Sequence, residues 1–84
     1  MEELFTKVLS AKMSSKHYIS IDVYCTVRKP IIQAYVHNIV NGYSEGIAES
    51  INTIYNSVDD VSEFLDKWIE IISEEAKHDN EGTG

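Results

Sequence analysis

The sequence predicts a small α+β sandwich with the element order helix, strand, strand, strand, helix, in which both helices cover one face of an antiparallel sheet. Three observations predict this fold. Residues 17–28, HYISIDVYCTVR, alternate apolar and polar side chains, as a strand buried on one face does. Residues 57–77, SVDDVSEFLDKWIEIISEEAK, repeat apolar residues at the period of an α-helix. Residues 2–13 repeat them in the same way over a shorter stretch.

The first two strands are separated by a proline. Pro30 interrupts the ladder because it lacks the amide donor, and residues 31–40 then form the second strand. Its predicted inner face consists of Ile32, Ala34 and Val36. The connection is too short for a parallel crossover, so the two strands pair antiparallel.

Residues 41–56 fit two structures. Tyr43, Ile47 and Ile51 lie at helical spacing, and a helix over residues 44–56 would change the element order to helix-strand-strand-helix-helix. Against this, Asn41-Gly42 is a turn signal, and a third strand adds much to a two-stranded sheet that is marginal by itself. We therefore predict a third strand over residues 47–55, with the helix as the alternative.

The last helix has a defined start and a broad apolar face. Ser57 is a good N-cap, and Asp60 can complete a capping box three residues later. Trp68 lies in the middle of the apolar face, so we expect it to be buried, and Glu63 and Lys67 have the spacing of a helix ion pair. The apolar face consists of Val58, Val61, Phe64, Leu65, Trp68, Ile69, Ile71 and Ile72.

Length and composition indicate one globular domain. The chain has 84 residues, of which 43% are hydrophobic and 25% charged. We expect residues 1–76 to form the domain and residues 77–84, which lack an apolar anchor, to be a flexible polar tail. No apolar run is long enough to span a membrane, and residues 1–7 have acidic residues where a secretion signal has basic ones, so we expect a cytoplasmic protein.

The net charge of −7 is unevenly distributed. Residues 1–29 contain five basic and three acidic residues, whereas residues 30–84 contain two basic and eleven acidic residues. This distribution argues against direct nucleic-acid binding, because phosphate contacts need Lys and Arg. The element order resembles that of double-stranded-RNA-binding domains, but the chain lacks the basic contact residues of that family, and its final helix is acidic.

No residue pattern indicates catalysis, a metal site or a cofactor. Cys25 falls on the apolar face of the first strand, where we expect an inert core thiol. Glu74 and Glu75 are adjacent, so on a helix their side chains diverge. Gly42 and Gly46 are not followed by the Lys and Ser/Thr of a phosphate-binding loop. We therefore expect a protein that is not an enzyme and that holds no metal or cofactor.

Five carboxylates form a row along the last helix, which we call the acidic row: Asp59, Glu63, Asp66, Glu70 and Glu74. Successive members are about 5–6 Å apart, and double-stranded DNA presents its phosphates at comparable intervals. Small acidic proteins of phages and mobile elements use such surfaces to occupy the nucleic-acid channels of host enzymes. The simpler interpretation is a solvated helix face, although like charges at this spacing cost stability.

A second candidate surface lies on the sheet face opposite the helices. It carries side chains that are favoured interface anchors, or that simply stabilise an exposed sheet through cross-strand contacts. These residues are Tyr18, Tyr24, Arg28, Tyr35 and His37.

Two functional hypotheses follow from these surfaces. The first is a small acidic interaction protein, of the kind phages or mobile elements encode, whose acidic row binds a basic protein surface. Such a protein would mimic nucleic acid and inhibit a host nuclease or DNA-binding factor. The alternative is a structural or regulatory homodimer that associates through the tyrosine-bearing sheet face or a sheet edge.

Overall fold

The computed structural model describes residues 2–11 and 13–83, with side chains through residue 78. Its elements are α1 (Glu2–Ser10), β1 (His17–Cys25), β2 (Pro30–Val40), β3 (Tyr43–Asn52) and α2 (Val58–Thr83). The strands form one antiparallel sheet in the order β1-β2-β3. The predicted helix, three-strand, helix fold is therefore confirmed.

The region that fitted two structures is a strand, and the helical alternative for residues 44–56 is wrong. β3 begins at Tyr43, four residues before the predicted start at residue 47, because a turn of only two residues separates it from β2. Asn41 and Gly42 both have positive φ, 54° and 83°, as the two central residues of a type I′ hairpin turn require. This turn leads β2 directly into β3.

Two predicted element ends are longer than the observed ones. α1 ends at Ser10, whereas the sequence predicted a helix to residue 13; residue 12 lies outside the described residues. β1 ends at Cys25 because the chain turns immediately afterwards. In this turn the amide of Thr26 donates to the carbonyl of Lys29 at 3.2 Å, and the amide of Lys29 donates to Oγ1 of Thr26 at 3.1 Å.

At its C-terminal end, α2 is longer than predicted. It continues to Thr83, through most of the segment 77–84 in which the sequence predicted a polar tail. The flexibility of that segment stays a prediction, and residue 84 lies outside the described residues.

The core lies between the two helices and one face of the sheet. Its buried residues come from α1, β2 and α2, and β1 and β3 contribute partly buried neighbours, which confirms that both helices pack on the same sheet face. The buried residues are Leu4, Ile32, Ala34, Val36, Val61, Leu65, Ile72 and Ala76. The neighbours are Val8, Ile19, Ile21, Ile51, Phe64 and Ile69.

The sheet extends beyond the area that the helices cover. The molecule measures 50 × 23 × 17 Å, and its radius of gyration of 13.8 Å exceeds the roughly 12 Å expected for a compact chain of this length. Residues 43–50 of β3 are all exposed. Large apolar side chains are therefore left open at both ends of the sheet, including Val23, Val40, Tyr43 and Ile47.

Two burial predictions are wrong. Cys25 is exposed, because the helices stop short of the end of β1, where Val23 is also 37% exposed. Trp68 is only partly buried, because it lies at the margin of the core. Its ring centroid is 5.3 Å from that of His17, and its indole nitrogen faces a carboxylate of β3.

Candidate functional site

The start of α2 is fixed by the predicted capping box. The amide of Ser57 donates to Oδ2 of Asp60 at 3.0 Å, and the amide of Asp60 donates to Oγ of Ser57 at 3.1 Å. Two amides that the helix itself leaves unpaired thereby gain partners. This exchange holds the first turn in place and with it the start of the acidic row.

The rotation of α2 about its axis is set by its buried stripe, which consists of Val61, Leu65, Ile72 and Ala76. At 3.6 residues per turn, the acidic row lies roughly 150° around the helix from this stripe. All five members of the row, Asp59, Glu63, Asp66, Glu70 and Glu74, are exposed. The structure therefore brings the predicted row together on the outermost surface of the helix layer.

Two lysines lie close to the acidic row, one near its centre and one at its C-terminal end. Oδ1 of Asp66 is 2.9 Å from Nζ of Lys7, which also donates to Oγ of Ser62 at 2.7 Å. Because α2 continues past residue 77, exposed Lys77 falls on the same line, three residues after Glu74. Asp66 is thus partly neutralised by α1, and the row ends beside a cation.

The expected helix pair between Glu63 and Lys67 does not form. Nζ of Lys67 instead lies 3.3 Å from a carboxylate oxygen of Glu49 in β3, because the side of α2 that carries Lys67 faces that strand. Glu63 consequently makes no ion pair with any described residue, and neither do Asp59, Glu70 and Glu74. Four of the five carboxylates in the row therefore face solvent without an ion pair to any described residue.

Glu49 links β3 to α2 through two contacts. Its Oε2 accepts a hydrogen bond of 2.5 Å from the indole nitrogen of Trp68, and Lys67 approaches the same carboxylate. The hydrogen bond from Trp68 is the main cause that lowers the pKa of Glu49; burial opposes it, and Lys67 lowers the pKa further. This carboxylate is therefore part of the packing of α2 on the sheet.

Glu75 has a structural position, unlike its neighbour Glu74. Both of its oxygens lie 2.9 Å from Nδ1 of His17, and Oε2 accepts a hydrogen bond of 2.8 Å from the hydroxyl of Ser14. The side chains of His17 and Glu75 are only 20% and 17% exposed, and Ser14 is buried. Glu74 faces solvent, so the two adjacent carboxylates diverge as predicted, and Glu75 fixes α2 to the start of β1.

The sheet face opposite the helices carries four of the five residues predicted for the second surface. The rings of Tyr18 and His37 stack at 4.4 Å with an interplanar angle of 7°, and the ring of Tyr35 is 6.2 Å from that of His37. Burial is the main cause that raises the pKa of Tyr35, followed by the nearby Tyr24. Arg28 is separate from this group, because it lies in the exposed turn between β1 and β2.

Polar groups hold His37 in place within this cluster. Its Nε2 is 2.7 Å from Oγ of Ser20, and its Nδ1 is 3.4 Å from Oγ of Ser44. The hydroxyl of Tyr35 donates to the side-chain oxygen of Gln33. The face is thus a fixed set of aromatic rings and hydroxyl groups.

Sequence reasoning missed several residues of these sites. No role was predicted for Glu75, although its position seven residues after Trp68 places it on the apolar side of the helix. Ser20 shares the strand face of Tyr18 by simple alternation, so strand period could have found it. Nothing in the local sequence indicates the long-range contact between Glu49 and Trp68.

Within the described ranges, no three His, Cys, Asp or Glu side chains are grouped as metal ligands. No described helix combines the length and apolar character needed to cross a bilayer. Comparison with protein-family models gives no match, and comparisons with curated proteins and with solved structures give no significant match either.

Proposed function

We propose that this chain is a small, non-enzymatic interaction protein that binds a basic protein surface through the acidic row of α2. The observation that carries the proposal is that Asp59, Glu63, Glu70 and Glu74 are exposed and form no ion pair among the described residues. Within the described part of the chain, no hydrogen bond or ion pair involves these four side chains. In contrast, Asp60, Glu49 and Glu75 accept hydrogen bonds that fix α2 in place.

The spacing of the row suits a partner that ordinarily binds nucleic acid. Carboxylates about one helical turn apart present charge at intervals comparable to the phosphates of a duplex. The inferred function is therefore mimicry of nucleic acid, which inhibits a nuclease or DNA-binding factor by occupying its basic channel. The chain would not bind nucleic acid directly, because both would be negatively charged.

The test replaces the three row members that form no ion pair with a described residue and lie beyond the first turn of α2. The triple variant E63Q/E70Q/E74Q removes three charges from the row and leaves the Lys7–Asp66 pair in place. The matched control E2Q/E3Q/E45Q removes the same amount of charge from exposed positions elsewhere. Each tagged protein is used to capture proteins from a cell lysate, and the captured proteins are then challenged with duplex DNA.

The proposal predicts that wild type and the control capture the same proteins, that duplex DNA releases these proteins, and that the row variant fails to capture them. Equal capture by the row variant would contradict it. Captured proteins that duplex DNA does not release would contradict the mimicry while leaving charge-driven binding in place.

A second candidate function is a structural or regulatory homodimer that associates through the sheet. The observation in its favour is that no described element covers the face of Tyr18, Tyr35 and His37, while Val23 and Ile47 are exposed at the sheet edges. Aromatic side chains of this kind are frequent in interfaces between subunits.

A further inference from the structure

The two edges of the sheet differ in how well they are protected against pairing with another strand. β3 has two register irregularities and carries Glu45 and Glu49, and bulges and charges both discourage edge pairing. β1 pairs with β2 without irregularity over nine residues, and Asp22 is its one acidic or basic residue apart from His17. β1 is therefore the edge that is open to a further strand.

Hydrogen bonds show which backbone groups of β1 face outward. The carbonyl of Lys16 accepts from the amide of Ile39 at 2.8 Å, and the amide of Thr26 donates to Lys29. Even-numbered residues therefore point their backbone groups toward β2, and odd-numbered residues point theirs away from the sheet. His17 is closed by Ser14, whose hydroxyl accepts from its amide at 2.9 Å. The open groups belong to Ile19, Ile21, Val23 and Cys25.

The two ends of this open edge are complementary. At one end, Val23 is 37% exposed beyond the cover of the helices. At the other end, a cleft of about 90 Å³ lies between the end of α1 and the edge strand, and Met13 on its wall is 72% exposed. The cleft is lined by Val8, Ala11, Met13, Tyr18, Ile19 and Ile72. An antiparallel copy of β1 would bring the exposed apolar end of one chain to the cleft of the other.

We propose that β1 pairs antiparallel with β1 of a second copy of this chain, about a two-fold axis at Ile21, to form a continuous six-stranded sheet. In this register Ile19 lies opposite Val23 of the second copy, and Ser20 lies opposite Asp22. Tyr18 and Tyr24 of opposite chains also face each other, which is a favourable cross-strand aromatic pair.

Charge disfavours the neighbouring register whose axis lies at Asp22. A two-fold axis at Asp22 would also align the open backbone groups, but it would place the two Asp22 carboxylates directly opposite each other, which is destabilising. The axis at Ile21 instead places each carboxylate opposite a serine hydroxyl. Because the pairing is antiparallel within one sheet, the helices of both chains lie on the same side.

This dimer specifies the second candidate function and uses no residue of the acidic row, so either proposal can fail without the other. The first test compares two lysine substitutions at exposed apolar edge positions, V23K on β1 and I47K on β3, by sedimentation velocity. Wild type and I47K sediment as dimers, whereas V23K sediments as a monomer with an unchanged circular dichroism spectrum. A monomeric wild type at its highest soluble concentration, or a dimeric V23K, would overturn the proposal.

Disulfide cross-linking tests the register without relying on the folding of V23K. The variant S20C/D22C is made in a C25S background. In the proposed register, its cysteine at position 20 lies opposite the cysteine at position 22 of the second copy. This pair is not hydrogen-bonded through the backbone, so its Cβ atoms are close enough for a disulfide. Oxidation should convert this variant to a covalent dimer on a non-reducing gel, whereas S20C alone and D22C alone should remain largely monomeric. Efficient cross-linking of D22C alone would show the axis at Asp22 and overturn the register.

Discussion

Replacement of Glu75 by alanine provides a sharp test of how α2 is fixed to the sheet. The change removes the acceptor of the His17 ring nitrogen at 2.9 Å and of the Ser14 hydroxyl at 2.8 Å. A hydrogen bond to a carboxylate contributes about 1.5–3 kcal/mol when it is shielded from water. Since His17 and Glu75 keep 20% and 17% exposure, water partly replaces what is lost, and we expect a net loss of about 2 kcal/mol.

The chain itself provides the control for this prediction. Glu74→Ala removes an adjacent, exposed carboxylate that makes no ion pair with a described residue, so its effect should stay within about 0.5 kcal/mol. For a domain of this size, the Glu75→Ala loss corresponds to a decrease in melting temperature of about 8–16 °C. Calorimetry and urea unfolding measure both variants. Equal melting temperatures for the two variants would refute the structural assignment of Glu75.

Three further predictions concern the core, the turn and the β3–α2 link. Leu65→Ala should lower the free energy of unfolding by about 2–5 kcal/mol in urea titrations, because Leu65 is fully buried. Gly42→Val should lower the free energy of unfolding by about 1 kcal/mol or more, because φ is 83° at this position and a β-branched residue avoids that region. An unchanged free energy of unfolding would mean that the turn adopts another conformation in the variant. Because its folded-state pKa is lowered, Glu49 stabilises the fold above its ordinary value of 4.5 and loses this effect as pH falls below it. The stability difference between wild type and Glu49→Gln should therefore shrink in that acid range, and a constant difference would count against the Trp68 hydrogen bond.

The sequence predicted the features that depend on short-range pattern. Alternation identified β1 and β2, the Asn41-Gly42 turn favoured a strand after it, and the Ser57–Asp60 capping box has the predicted hydrogen bonds. Helical period also placed the five members of the acidic row on one exposed side of α2. These features depend on residues close together in the chain.

The predictions that failed depend on how far the layers overlap, which periodicity does not encode. Alternation places Cys25 on the inner face of β1, but the helices end before they reach it, so the thiol is exposed. Lys67 contacts Glu49 instead of Glu63 because the tertiary packing of α2 on β3 offers a second carboxylate. The same packing leaves Trp68 at the margin of the core.

The most direct test of the central claim is the salt dependence of partner binding for three proteins. A protein captured by wild type is titrated with wild type, E63Q/E70Q/E74Q and E2Q/E3Q/E45Q at several sodium chloride concentrations. If the acidic row forms the interface, affinity falls steeply with salt for wild type and for the control, and much less steeply for the row variant. The same affinity and the same salt dependence for all three proteins would contradict the claim.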